Sequence, residues 1–418
     1  MSNPIYASAG ESAAPLDRRG FLRYSGISFA GLLAAGAVSR ADEKATEKAK
    51  AEQPEAAREK RPYPAGRQLA PVNAVPERII KETVGLRPFR ETGPNLSVQR
   101  LGNGKTLVHH YGHGGSGWSL SWGTAHEVVG KAAQTGDRHV AVIGCGVIGM
   151  TTATLLQRAG KEVRIYTKER QPNVTSSWAT GIWSPYSRIC LEEHGTPKFA
   201  DWWAKTAAHS FRSYQDRVGL PNRPVEWVDG FSVSNKTPDE RKAEREARPG
   251  PKFASFGEAL DDVVPGGWEL TRGSSPFAEK HAYQSSRMIF NIPAYSEMLM
   301  SDFYRAGGRL EYREFHSADE IAVLPERTII NCTGLGAQKL FGDKKMVPVR
   351  GQLTFLIPQP EVDYQFGNDE AYIIPRQDGI VVGASQNGLY GSTDTRPDRQ
   401  QSLDAVAAIQ RSMAALRS

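Results

Sequence analysis

Cysteine is scarce in this sequence. The 418 residues include three, Cys145, Cys190 and Cys332, with neither Cys-x-x-Cys nor Cys/His spacing, so neither a disulfide framework nor a cysteine-held metal is indicated. They read as small buried packing residues. Long apolar runs are also missing. No stretch reaches 18 uninterrupted apolar residues, and no spanning helix is expected in the mature body. A strong excess of one charge is absent too. The formal net charge is +6, and residues 1–41 carry Arg18, Arg19, Arg23 and Arg40 against Glu11 and Asp17, leaving +4 without them. The basic residues are scattered among acids instead of forming a stripe with interleaved aromatics, which argues against a nucleic-acid partner. Hydrophobic residues at 39% and charged residues at 23% suit a soluble globular enzyme of two or three domains, or one body with subdomains.

The first segment contains D-R-R-G-F-L-R-Y-S-G-I-S-F-A-G-L-L-A-A-G-A-V-S-R-A. Paired arginines, Phe21-Leu22, a mild apolar run and a small-residue cleavage site after Ala41 resemble a twin-arginine signal peptide over residues 1–41. An amphipathic or core helix is the alternative. The resemblance implies the twin-arginine export machinery as a partner and a periplasmic or secreted protein, and that route carries folded proteins with any cofactor already in place. Residues 42–76 turn to Lys, Glu, Ala, Gln and Pro and read as a solvated tether. The folded body is therefore expected to begin near Glu77 and run to 418, without internal repeats.

His139–Ile143, H-V-A-V-I, suits a buried parallel strand and opens into Gly144-x-Gly146-x-x-Gly149. A helical segment, Met150 to Ala159, comes next, then the strand E-V-R-I-Y, and then Glu169, 20 residues beyond Gly149. In such a unit the first glycine makes the tight turn and the second admits a pyrophosphate. The third lets helix pack on strand, helix amides including those of Val147 and Ile148 face the phosphates, and the acid accepts from ribose hydroxyls. The pattern specifies dinucleotide binding and does not separate FAD from NAD. Lys168 beside Glu169 reads as a solvated surface residue.

Later segments favour a flavin. T-I-I-N-C-T-G-L-G-A (328–337) is a return strand running into a glycine turn, with V-P-V-R-G-Q (347–352) and A-Y-I-I-P-R with V-V-G-A-S-Q (371–386) beyond it. Together with V-I-G-C-G-V-I-G and V-T-S-S-W-A-T-G-I-W-S-P-Y (174–186), these resemble the D-amino-acid oxidase family of FAD enzymes. The resemblance implies an α/β fold, an FAD-binding Rossmann-like domain with a second α+β substrate domain. Two family motifs stand out of order. G-L-R-P (85–88) and Y-G-H-G-G-S-G (111–117), expected near the C-terminal end, precede the dinucleotide strand here. The chain therefore resembles a circular permutation, with the FAD-binding subdomain expected over about 103–195 and 309–345 and the substrate subdomain over about 77–102, 196–308 and 346–418. The helix after Gly117 must then end where strand His139 begins, and the C-terminal helical segment must end near the strand that starts the body.

The resemblance implies roles residue by residue. Arg87 is the fork for the substrate carboxylate, with a structural ion pair as its alternative, and Arg90 is a surface arginine. Tyr372 adds a hydroxyl to the same carboxylate, the alternative being a core tyrosine. Backbone amides of Gly114, Gly115, Ser116, Gly117, Trp118 and Ser119 meet the flavin ring, where donors stabilise developing charge, and the backbone of Gly115 meets the substrate amine. Thr175, Ser176, Gly181 and Ile182 lie along the cofactor's phosphates and ring, and Phe315 contacts adenine through its backbone. The implied activity is oxidation of a D-amino acid by FAD to an imino acid, hydrolysed to a 2-oxo acid and ammonia, with dioxygen reduced to hydrogen peroxide. Orientation and electrostatics, more than a dedicated base, are the protein's part. Departures lie at Asn368 and Gln386, where family members place a second tyrosine, and at Ser184, where a glutamine is common; Tyr390 or Tyr364 are candidates for the missing ring. Three alternatives remain: a related flavin amine oxidase or dehydrogenase acting on glycine, D-aspartate or an imino acid; a flavin-binding protein without turnover; and an NAD-dependent dehydrogenase, which leaves the N-C-T-G strand and the early glycine loop unexplained.

Overall fold

A computed structural model of the chain describes residues 59–385 and 388–416, the side chain of Asn103 excepted. The expected signal peptide, the first part of the expected tether and Gln386 lie outside the described residues. The elements that build the sheets are β1 (Lys60–Arg61), β2 (Ile79–Arg90), β3 (Val98–Arg100), β4 (Thr106–His109), β5 (His139–Ile143), β6 (Glu162–Thr167), β7 (Val225–Ser234), β8 (Gly267–Leu270), β9 (His281–Phe290), β10 (Arg309–Tyr312), β11 (Thr328–Asn331), β12 (Met346–Leu356), β13 (Tyr364–Gly367), β14 (Ala371–Arg376), β15 (Gly379–Ala384) and β16 (Leu389–Tyr390). Helices of ten or more residues are α1 (Gly117–Ala133), α2 (Val147–Arg158), α3 (Pro197–Gln215), α4 (Pro238–Ala247), α5 (Ile292–Arg305) and α6 (Arg399–Ala414).

Six strands form one sheet in the order β10-β6-β5-β11-β4-β3. All neighbours are parallel except β3, which runs antiparallel to β4 at the edge. Its central strands are near-continuous apolar runs, and β4 and β11 are buried at every residue, as expected of a parallel sheet covered on both faces. Helix α1 leads from β4 to β5 and α2 from β5 to β6, the two pack together, and α3 and α5 pack against them. The sequence placed β3 and α5 with the substrate subdomain. Pairing puts β3 in the dinucleotide sheet, and the apolar face of α5 (Tyr295, Leu299, Phe303) joins the core under α2.

The other sheet is ten-stranded and largely antiparallel, in the order β1-β8-β9-β7-β13-β14-β15-β12-β16, with β2 also on β12. The β2–β12 ladder runs from Met346↔Arg90 to Leu356↔Ile79, so the strand expected at the start of the body is twelve residues long. Helix α6 covers β14 and β15. A doubly layered α/β body with a second α+β region is thus present, and among the described residues no helix is long and apolar enough to cross a membrane.

The tether ends earlier than composition implied. Lys60 and Arg61 pair in parallel with β8, and Tyr63, Val72 and Ala74 are buried with Ile409 and Met413 of α6. A few well-spaced apolar residues suffice to anchor a Pro-rich segment when a sheet face and a helix are already there to receive them. Burying Tyr63 and Val72 stabilises the body by roughly 3 kcal/mol or more. A chain beginning at Glu77 should accordingly melt several degrees below one beginning at Glu59 in a calorimetric scan, and equal melting temperatures would show that residues 59–76 contribute only a leash.

Candidate functional site

A cavity of about 790 Å³ is lined by residues of both sheets, within the size range of small-molecule and cofactor pockets. Its lining includes Gly144, Gly146, Val147 and Ile148 of the fingerprint, with Glu169 after β6 and Phe315 after β10, and it also includes Arg87, Tyr372 and Gly115. Thr175, Ser176, Ile182, Gly114, Gly117 and Trp118 line it as well.

The fingerprint folds as its glycines require. Gly144 takes φ +106°, a conformation that disfavours any side chain. A Cβ on Gly149 would stand 2.0 Å from the Gly144 carbonyl oxygen, so only glycine lets α2 seat this close to β5. Helix α2 starts one turn earlier than the sequence suggested, with Gly146, which has no side chain to cap it, at the N-cap. The first turn of α1 opens on the same cavity. Ser176 ties the two helix starts together: its hydroxyl accepts from the Val147 amide at 2.9 Å and its carbonyl accepts from Trp118 Nε1 at 2.9 Å. Two helix N-termini with unsatisfied amides therefore face one space, a site that favours negative charge such as phosphate.

The glycine loop lines the same cavity as the fingerprint, but its amides are used differently from the expectation. Gly114 N donates to Pro88 O, Gly115 N to Ser187 O and Ser116 N to His113 O. Donors toward a cofactor must therefore come from the first turn of α1, from Gly117 onward. Ser116 and Ser119 do not line the cavity: Ser116 Oγ donates to Ser187 O, and Ser119 Oγ accepts from Ser184 N at 2.7 Å. Both support the wall from behind. Gly149 and Gly181 are likewise outside the lining, each in close backbone packing.

Two glycines make room for polar side chains in the lining. A Cβ on Gly351 would stand 2.1 Å from Arg87 Nη1, and a Cβ on Gly383 would stand 2.3 Å from the Tyr372 hydroxyl. Among the described residues Arg87 Nη1 is buried without a hydrogen-bond partner and no ion pair to Arg87 is found, which speaks against the ion-pair alternative. Burial lowers its pKa, opposed by Tyr372. Arg90 is the arginine in a structural pair, with Nε 2.8 Å from Asp343 Oδ2 and most of its side chain covered. Neither tyrosine proposed to supply a missing ring reaches the site. Tyr390 donates to Glu91 and Tyr364 to Ala70 O, while Asn368 bonds Ser412 and the turn before β14. Arg188, Gln365 and Trp178 also line the cavity; Trp178 falls inside the V-T-S-S-W-A-T-G-I-W-S-P-Y motif without an assigned role, and no motif marks Arg188 or Gln365. Arg188 stands just past W-S-P-Y, but nothing local says which way it points.

Cys145 and Cys332 line the cavity as well, and burial pushes both thiols up to about 12, which keeps them protonated and unreactive. Among the described residues no cluster of His, Cys, Asp or Glu could hold a metal ion.

Residues 139–418 match the protein family described as DAO, FAD dependent oxidoreductase. A D-amino-acid oxidase of Dictyostelium discoideum is 28% identical over 274 residues, 64% of this chain and 72% of that protein. A D-amino-acid oxidase of Streptomyces coelicolor is 30% identical over 294 residues, 67% of this chain and 78% of that protein. Among solved structures, glycine oxidase from Geobacillus kaustophilus aligns with a TM-score of 0.48 at 16% identity, covering 68% of this chain and 81% of that one.

In and beside the glycine loop, burial lowers the imidazoles of His109 to about 4 and His113 to about 3, and holds His110 well below its ordinary value. These residues titrate near 6.5 once unfolded, so the unfolded chain takes up protons that the fold refuses. Stability is full above about pH 6.5 and is lost as pH falls toward about 4. The urea midpoint should drop between about pH 7 and about pH 5, and His113→Asn should flatten that dependence; a wild-type midpoint constant over this range would contradict neutral burial.

Proposed function

Because the chain belongs to the DAO family of FAD-dependent oxidoreductases, we propose that it oxidises D-amino acids to 2-oxo acids, with release of ammonia and hydrogen peroxide. The observation that carries this reading is Arg87: a guanidinium with an unpartnered, buried Nη1, laid across Gly351 and beside Tyr372, in the same cavity as the dinucleotide fingerprint. An arginine with a buried, unpartnered nitrogen and no counter-ion among the described residues favours a carboxylate, which its fork can hold bidentately.

FAD fits the residues present. The glycine turn at Gly144, the two helix starts joined at Ser176 and the carboxylate of Glu169 suit its pyrophosphate and ribose, with Thr175, Ile182 and Phe315 along the same cavity. When bound, the flavin supplies a two-electron acceptor for the substrate's α-hydrogen. The protein's part is placement. Arg87 and the Tyr372 hydroxyl hold the α-carboxylate, the Gly115 backbone receives the amine, and Ile182, Ile374 and Trp178 give that space an apolar wall. Fixing carboxylate and amine together orients the α-carbon, and the low-dielectric wall strengthens both contacts.

The same reading takes the chain as circularly permuted. Supporting it, the family match begins at the dinucleotide strand, while β4, α1 and the Arg87 strand, all upstream of that match, complete the same two sheets. In addition, the C-terminal helix shares a core with the segment leading into β2, and five residues suffice between α1 and β5. Export by the twin-arginine route rests on Arg18-Arg19 and the mild apolar run after them. A related oxidase or dehydrogenase for glycine or an imino acid shares the carboxylate clamp and is separated by substrate.

Purified protein should be yellow and should release peroxide with a panel of D-amino acids but not with their L-enantiomers. Arg87→Ala should lower kcat/KM by about a hundredfold or more, the cost of removing one partner of a buried charged contact. A colourless preparation that consumes no oxygen with any D-amino acid, or an Arg87→Ala variant with wild-type kinetics, would overturn the assignment.

A further inference from the structure

Gln365 belongs to the same cavity lining as Tyr372 and Ile374, and strand alternation puts it there. In β13, Y-Q-F-G, Tyr364 and Phe366 are buried in the core under α6 with Ile409 and Met413, so Gln365 between them projects from the opposite face of the sheet. Pairing sets it directly beside Gly230 of β7, and sets Gly367 directly beside Tyr372 of β14. These two glycines leave the side chain room to lie along the sheet. A Cβ on Gly230 would stand 2.8 Å from Gln365 Oε1 and 3.2 Å from Arg287 Nε, and a Cβ on Gly367 would stand 3.6 Å from Gln365 Nε2 and 3.4 Å from Tyr372 Cβ.

The amide is thereby given a direction. Its oxygen turns to the guanidinium of Arg287, whose Nε is buried without a hydrogen-bond partner among the described residues, and its NH2 turns to the side of Tyr372. An arginine only donates, so this is the favoured orientation for a carboxamide beside one. The group is otherwise unused. Among the described residues no hydrogen bond holds the Gln365 side chain, while Ile182, Ile374 and Trp178 supply apolar surface to the same lining. A substrate side chain that covers the amide without bonding to it strands two N–H donors, whereas a carbonyl oxygen placed there satisfies them.

We propose that Gln365 is a specificity-determining residue whose Nε2 donates to a carbonyl oxygen on the substrate side chain, so that the preferred substrates are amino acids whose side chains end in a carboxamide or a carboxylate. This rests on the oxidase reading for the α-carboxylate and amine, and the test separates the two.

With the FAD-loaded enzyme, kcat/KM for D-asparagine or D-aspartate should exceed that for D-leucine, which has the same branched shape without the carbonyl, by about tenfold or more. The better of the two shows whether the carbonyl belongs to an amide or an acid. In Gln365→Met that polar-to-apolar ratio should fall by about tenfold or more, chiefly through KM. Gln365→Glu keeps the size but replaces the donors with a carboxylate that only accepts. It should lose D-aspartate and retain D-asparagine, whose own amide can donate, so the aspartate-to-asparagine ratio should fall by about tenfold or more. No wild-type preference over D-leucine, an unchanged ratio in Gln365→Met, or equal weakening of both polar substrates in Gln365→Glu would each overturn the proposal while leaving the oxidase reading intact. Calorimetry supplies an arm without turnover: succinamate or succinate should bind more tightly than the branched isostere isocaproate, and Gln365→Met should erase the difference. That result in a protein that oxidises no amino acid would sustain the role of Gln365 and defeat the oxidase reading. Should Gln365→Met not fold, the wild-type comparisons and Gln365→Glu decide.

Discussion

The parallel pairing of β4 with β11, and of β11 with β5, is the constraint on which the site depends. Thr106 to His109 align with Thr328 to Asn331, which align in turn with Val140 to Ile143. Three strands far apart in sequence thereby end at one edge. Parallel strands deliver the loops at their carboxyl ends to a common crevice, so the glycine loop after β4, the fingerprint after β5 and the N-C-T-G turn after β11 must meet there. Ser176, bonded to the starts of both α1 and α2, closes that meeting point.

The second sheet answers with charge. Strand β2 carries Arg87 along β12, and the missing side chain at Gly351 is what allows the guanidinium to lie over the sheet instead of leaving it. Gly383, directly opposite Tyr372 on the next strand, does the same for the phenol. A polar group buried without a partner is costly, and Arg87 Nη1, in the cavity lining, is such a group among the described residues. That cost marks a place prepared for a ligand, and the family assignment says what kind of chemistry runs beside it.

Much of the site was legible from local pattern. A glycine fingerprint between an apolar strand and a helix carries its own geometry, so Gly144, Gly146 and Gly149 could be given roles from spacing alone. Less legible were features set by contacts between distant residues. The amides of Gly114, Gly115 and Ser116 look available in the sequence, yet Pro88, Ser187 and His113 accept from them. Residues 60–74 look like a tether, yet they find a ready-made groove between the second sheet and α6. Arg90 and Arg87 are three residues apart and of one type, and only Asp343, more than 250 positions away, distinguishes the structural arginine from the one left open to the cavity.

The sequence by itself determined the fold class, the dinucleotide site and the family of flavin chemistry, because each is written in short-range pattern: apolar runs, glycines at fixed offsets and motif order. The tertiary structure decided which polar groups face the ligand. Gln365 is one residue of a short strand, and its place beside Gly230 and near Tyr372 and Arg287 comes from the pairing of that strand with β7 and β14. A side chain's direction and its electrostatic neighbours are long-range properties, and no local pattern encodes them.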